Sequence, residues 1–406
     1  MTGSATASED PDDLRRVTAA RGGGVAGGGP LDGIRVVELL GLGPGPFCGM
    51  LLADLGADVL RIDRADVARS VDRSRPATNA MYRSKSAIGL DLKAPAGVDA
   101  FLRLADGADA LFEVFRPGVV ERLGIGPDVA CARNPRLVYG RLTGYGQDGP
   151  LAHKAGHDID YLAIAGALEP LGRAGGPPTP PINVLADFAG GGMLLAYGIV
   201  AALLAREQTG DGQVVDAAMV DGAALMLTPF YAARASGFWG PRGTNMLDTG
   251  APWYDSYETA DGGWLAVGAI EPEFYAQLLE GLGLTDEQLP DQQDRDRWPE
   301  LRERFASVIR TRTRDDWEAH FASYDACVAP ALAPTEAPAH AHNRARGTFR
   351  DIRGVLQPAP APRFSRTPLG EPAPPEHPGE RTHDALTGWG FEAAEVTALI
   401  DAGVLV

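Results

Sequence analysis

The sequence predicts an α/β protein, with a large Rossmann-like domain built on a parallel sheet and a smaller α+β domain. Between residues 34 and 142, short aliphatic runs alternate with segments of helical spacing. Strands that alternate with helices form parallel sheets covered on both faces. After Gly237 the alternation stops, and short strands precede a group of helices. A chain of 406 residues also exceeds what one simple core supports, so two domains are the default. The expected layout is a leader over 1–30, a large domain over 31–220 completed by 360–406, and a linker helix over 221–245. A small domain over 246–335 and a return linker over 336–359 complete it.

In order, residues 34–39 read as the first strand, 41–46 as a turn and 47–55 as a helix, and 58–63 as the second strand. The basic stretch 64–86 lacks periodicity and reads as a loop. Val98, Phe101, Leu102 and Ala105 have helical spacing, which predicts a helix over 95–106. Strands follow at 110–115 and 137–142, with a helix between them that carries Pro117 in its first turn. Beyond a Pro/Gly linker (172–181) stands the triple glycine Gly190-Gly191-Gly192. The apolar run after it, 193–205, is expected to be a buried helix, since a membrane span needs about 20 apolar residues. Residues 214–235 read as mostly helical, broken near Pro229. The second domain is expected to hold strands at 253–259 and 264–267 and helices at 272–282, 298–312 and 317–324. The Pro-rich stretch 357–380 reads as an extended crossing segment and 391–404 as a closing helix.

A formal charge of −17 argues against nucleic acid and against an anionic membrane surface, because both need a basic face. Cys48, Cys131 and Cys327 lie far apart with no metal-ligand spacing, which fits a reducing cytoplasm without disulfides or zinc. The leader combines acids with a glycine run and has no apolar core, so it is expected to be disordered and not a signal peptide.

The turn Gly41-Leu42-Gly43-Pro44-Gly45-Pro46 after a strand invites comparison with a dinucleotide fingerprint. The third glycine position falls on Pro46 or Cys48, and two prolines remove N–H donors from a loop that would present them to pyrophosphate. A nucleotide redox site is therefore not expected. A different anion site is better supported: Arg61, Arg64, Arg69, Arg73, Arg75, Arg83, Lys85 and Lys93 stand against only four acids between 61 and 93. Guanidinium forks and ammonium groups suit phosphate, although a solvated loop has the same composition.

In Ala155-Gly156-His157-Asp158-Ile159-Asp160-Tyr161, an imidazole stands beside a carboxylate at a loop-to-helix junction, a common place for proton transfer. The same residues fit an ordinary helix start in which Asp158 is the N-cap and His157 only precedes it.

Several stretches together resemble one family. They are LDGIRVVELLGLGPGPFCGMLLADLGADVLRIDR (31–64), LDLK (90–93), FRPGV (115–119), LTGYGQDGP (142–150), AGHDIDY (155–161), LADFAGGGM (185–193), GQVVDAAMVDG (212–222), NMLDTGAPWYDSYETADG (245–262) and VGAIEPEFY (267–275). The resemblance is to the family III CoA-transferase superfamily and, within it, to the α-methylacyl-CoA racemases. It implies an acyl-CoA ligand and an interlocked homodimer, with the active site between the large domain of one subunit and the small domain of its mate. No metal or redox cofactor is implied, since coenzyme A is part of the substrate. By position, Arg64, Leu90, Asp91, Leu92, Lys93 and Arg116 match CoA contacts, and Gly156, Ile159, Asp160 and Tyr161 match the stretch that lines the thioester. His157 and Asp187 match the paired acid/base residues, and Glu271 matches an acid that orients the histidine.

Inverting a 2-methylacyl thioester requires one group to remove a proton from one face and another to deliver one to the opposite face. Histidine suits this near neutral pH, whereas a carboxyl group serves only where it is protonated part of the time. An apolar pocket around Asp187 would do that, while an N-cap role would stabilise its charged form. The Asp158 N–H, at a helix start, is the expected donor to the enolate oxygen. Glu271, ahead of Pro272, also fits a charge placed at a helix start. Transferases of the superfamily use an aspartate nucleophile that matches Asp158, but His157 and Asp187 together are the racemase pair. A silent acyl-CoA-binding protein is the remaining alternative. Asp160 departs from the asparagine usual in the racemases. Met219, Met226 and Met246 fit an acyl-chain surface or a core equally well.

Overall fold

The computed structural model describes residues 28–406, so all but the last three residues of the expected leader lie outside the described residues. The chain divides into two units. One comprises the residues up to Tyr161 with Val184–Ala223 and Arg350–Val406, and the other Leu162–Asn183 with Ala224–Phe349. Residues 162–183, expected within the large domain, group with the second unit.

The first unit is built on strands β1 (Arg35–Leu39), β2 (Asp58–Arg64), β3 (Lys85–Leu90), β4 (Ala110–Glu113), β5 (Val138–Thr143) and β6 (Val214–Ala218). They form one parallel sheet in the order β3-β2-β1-β4-β5-β6. Val36, Val37, Leu60, Leu111, Phe112 and Val138 are buried in it, as expected for strands covered on both faces. The strand order reverses between β1 and β4, and the crevice at the carboxyl ends of such a pair is where open α/β sheets bind ligands.

Two edge strands depart from the expectation. Residues 64–86 were expected to be loop, but they contain helix α1 (Ala65–Ser70) and lead into β3. β3 carries Gly89 because a Cβ there would lie 2.5 Å from the Ala68 side chain. Its open edge is covered by the chain terminus: Gly89 and Val406 exchange backbone hydrogen bonds, and Asp91 N–H donates to the Val404 carbonyl. β6 was expected to be helical, yet it pairs with β5 in register from Tyr139↔Val214 to Thr143↔Ala218. Its Ala and Asp residues give a weak strand signal, and the neighbouring strand overrides it.

The helix after β1 begins at Pro44, not at 47, and runs to Asp54. Both prolines fall in its first turn, where a missing N–H leaves no bond unmade. The triple glycine lies inside a helical run, a π-type segment Val184–Met193 that continues into Leu194–Thr209. A Cβ on Gly190 would come within 2.8 Å of the Ala223 nitrogen, and one on Gly192 within 2.5 Å of the Pro44 carbonyl oxygen. Backbone-to-backbone packing, not chain reversal, accounts for these glycines. The expected burial of this helix holds for one face only. Leu195, Ile199, Ala202 and Leu203 pack inward, while Met193, Tyr197, Val200 and Leu204 are exposed. Among the described residues, Val184–Thr209 is long and apolar enough to cross a membrane, and 44% of its apolar window is buried in the protein.

The second unit holds a three-stranded antiparallel sheet of Tyr254–Glu258, Trp264–Gly268 and Val328–Pro330. Its core gathers Trp253, Trp298, Phe305, Trp317 and Phe321. Asp255 binds both Arg173 and Arg302, which ties the 162–183 excursion to this sheet.

Candidate active site

The turn after β1 is shaped by β4. A Cβ on Gly41 would lie 1.8 Å from Val114 Cγ2, and one on Gly45 2.6 Å from Val114 Cγ1. The glycines thus admit a neighbouring side chain, consistent with the failed fingerprint spacing. At the end of β4, Glu113 is fully buried; it accepts Arg141 Nε at 3.0 Å and the Phe115 N–H at 2.6 Å. Burial pushes its carboxyl up to about 7, against the pull of the Phe115 N–H and the Arg141 guanidinium. These bonds fix the start of the FRPG stretch, on which Arg116 is exposed.

His157 is the N-cap of helix α2 (Asp158–Ala165): its carbonyl accepts from the Asp160 and Tyr161 N–H groups, and its own N–H donates to Asp160 Oδ2 at 2.9 Å. That second bond is the reach-back half of a capping box. Asp158, the N-cap in the alternative reading of this stretch, is instead the first residue of the helix and is only 5% exposed. Its Oδ1 accepts the N–H groups of Ala186 and Asp187, each at 2.8 Å. The His157 and Asp187 segments are thereby joined through one carboxylate. The His157 side chain, like those of Ile159 and Asp160, is exposed, and Asp187 is half-buried.

Tyr161 closes the wall. Its hydroxyl donates to the Gly156 carbonyl, and its ring occupies space that a Cβ on Gly144 or Gly156 would fill. Burial first, then the Asp187 charge, pushes its phenol up to about 12, so it remains a donor at neutral pH. The opposing influence of Arg116 puts that guanidinium within electrostatic reach. A Cβ on Gly43 would lie 3.7 Å from Asp187 Oδ2, which brings the glycine turn to the same place. Tyr145 meets Tyr161 edge-on with centroids 5.0 Å apart. Sequence reasoning missed Gly43, Glu113 and Tyr145; the available signal was the glycine turn at the end of β1 beside a strand-order reversal.

The basic cluster is thinner than its composition suggests. Lys85 is wholly buried, bound to Glu38 at 2.5 Å and to the Pro46 carbonyl at 2.8 Å. Arg61 pairs with Asp63 at 2.8 Å, and Arg83 forks onto Asp54 and bonds Gln357. These three hold elements together, because buried charges persist only when paired. Arg69 and Arg73 donate to the carbonyls of Gly403 and Pro378. Arg64 and Lys93 are exposed, Arg64 forked onto Asp66. Leu90 is buried at the terminal strand contact, Leu92 packs partly against the core, and Asp91 caps the Lys93 N–H. Glu271 belongs to the second unit and is the backbone N-cap of helix Pro272–Leu282, with an exposed side chain.

Residues 31–382 match the model of CoA-transferase family III, and the chain belongs to that family. It is 47% identical over 373 residues to α-methylacyl-CoA racemase from Mus musculus, covering 91% of this chain and 96% of that protein. It is 46% identical over the same length, with the same coverage, to the Homo sapiens racemase. Among solved structures, a CAIB/BAIF family protein from Brucella suis superposes with a TM-score of 0.77 at 25% identity, over 91% of this chain and all of that one.

Proposed function

We propose that this chain interconverts 2R- and 2S-methylacyl-CoA thioesters by proton transfer at C2 through an enolate, the activity named for its mouse and human relatives. The observation that carries this reading is the Asp158 carboxylate: adjacent in the chain to His157, it holds the backbone of Asp187. Two groups of suitable chemistry thus stand on coupled helix starts. In one direction His157 takes the α-proton and Asp187 supplies one to the opposite face; in the other direction the roles reverse. The Asp158 N–H, in the first turn of α2, donates to the enolate oxygen. Arg64, Lys93 and Arg116 are the exposed cations for the CoA phosphates. Gly156, Ile159, Asp160 and Tyr161 line the thioester. The reading requires no cofactor beyond the CoA of the substrate and assigns the enzyme to the cytoplasm. It includes a homodimer in which the partner subunit's Glu271 orients His157. The exposed stripe Met193, Tyr197, Val200 and Leu204 supports such an interface.

The test is incubation of either epimer of a 2-methylacyl-CoA in deuterated water. Deuterium should enter C2 and the mixture should approach equal proportions. His157→Ala should abolish this while still binding CoA, and absence of wash-in by the wild-type enzyme would sink the reading. A family III transferase would instead need a second carboxylate acceptor and a hydroxylamine-trappable acyl group on Asp158.

A further inference from the structure

We infer that the Asp158 side chain is a positioning residue, an N-cap supplied from one helix to another, and not an acyl acceptor. This rests on the racemase reading and gives the Asp158 carboxylate, which takes no proton in that reading, a task of its own. Asp158 is the first residue of α2, yet its side chain turns away from that helix. Oδ1 takes the N–H groups of Ala186 and Asp187, both in the opening turn of the helical run that begins at Val184. First-turn N–H groups have no acceptor within their own helix, and a carboxylate is the strongest acceptor available to them. The first-turn N–H groups of Ala186 and Asp187 are thus capped from 28 and 29 residues upstream. The cap fixes the backbone of the very residue that carries the second acid/base group.

The same geometry withholds the carboxylate from substrate. Oδ1 is engaged by two donors, and Oδ2 is enclosed without a hydrogen-bond partner among the described residues. An acyl acceptor must present an oxygen to the thioester carbonyl. Here both oxygens lie in the protein interior, and turning one outward would break both backbone bonds.

The experiment compares Asp158→Asn and Asp158→Ala in the full chain, by hydrogen exchange at the Ala186 and Asp187 amides and by steady-state deuterium wash-in. Asparagine keeps an acceptor oxygen, so both amides should remain protected. Its kcat should stay within about tenfold of wild type, reflecting neutral in place of charge-assisted bonds. Alanine should lose the protection, and its kcat should fall by about a hundredfold with little change in KM, as misplacement of an acid/base group does. Protection lost in Asp158→Ala and kept in Asp158→Asn supports the inference even if the wild-type enzyme washes in no deuterium, an outcome that would overturn only the racemase reading. Full protection in Asp158→Ala overturns the inference. So does a hydroxamate trapped at Asp158, or, with an active wild-type enzyme, an Asp158→Asn protein that keeps its protection but is as inactive as Asp158→Ala.

Discussion

Asp158 and Asp160 stand two residues apart, and their carboxylates serve different helices. Asp160, exposed, reaches back to the N–H of His157 and stabilises the start of its own helix. Asp158, buried, serves the helical run that begins at Val184. Asp160→Asn should keep an oxygen for the His157 N–H and lose only the favourable charge at a helix start, a cost of about 0.3–1 kcal/mol. Asp160→Ala should lose the bond as well and cost about 1 kcal/mol more, read as a lower urea midpoint. Equal stability of the two variants would mean that the bond contributes nothing. The departure from asparagine at this position is therefore expected to be mild, because either side chain offers the acceptor that caps the helix.

The helical run Val184–Met193 owes its position to glycine. A Cβ on Gly222 would lie 1.9 Å from the Gly190 carbonyl oxygen, closer than any real contact, and the obstacle is backbone that has no rotamer to change. Gly222→Ala should cost about 3 kcal/mol, the upper end of ordinary overpacking, and lower the denaturation midpoint accordingly. A stable Gly222→Ala protein would show that the two segments separate readily. Wash-in should fall with stability, since the same segments carry Asp187. The helix expected from sequence starts only after the triple glycine, at 193, and glycine is a poor helix former. Close approach of a second backbone reverses that preference. β3 and β6 escaped notice for a related reason: at a sheet edge, one neighbouring strand and a covering terminus supply order that local propensity lacks.

Across the molecule, the helix Leu194–Thr209 is apolar on both faces, but only one face meets the sheet. Tyr197 is 72% exposed and Leu204 65%, an unusual arrangement for a protein surface unless another surface covers it. In the proposed homodimer that surface is a second copy. Tyr197→Glu should therefore halve the sedimenting mass and lower wash-in. A variant of unchanged mass and activity would show that the stripe is not the interface. The acidic balance of the chain leaves an anionic ligand to exposed cations such as Arg64, Lys93 and Arg116, since Arg61, Arg83 and Lys85 of the basic stretch are committed to internal pairs.

The α/β class, the central strands β1, β2, β4 and β5, and the segments that carry His157 and Asp187 were all legible in the chain. Each depends on local periodicity, on residue chemistry or on long motifs that survive without coordinates. Where side chains point was not legible. Arg61, Arg83 and Lys85 look the same in sequence as Arg64 and Lys93, and only the packed structure separates buried partners from exposed cations. Asp158 shows the same limit most sharply. A carboxylate at a helix start satisfies equally well the N–H groups of its own helix and those of a helix beside it. The choice between them is made by tertiary packing, which brings the first turn after Val184 to within 2.8 Å of Asp158 Oδ1.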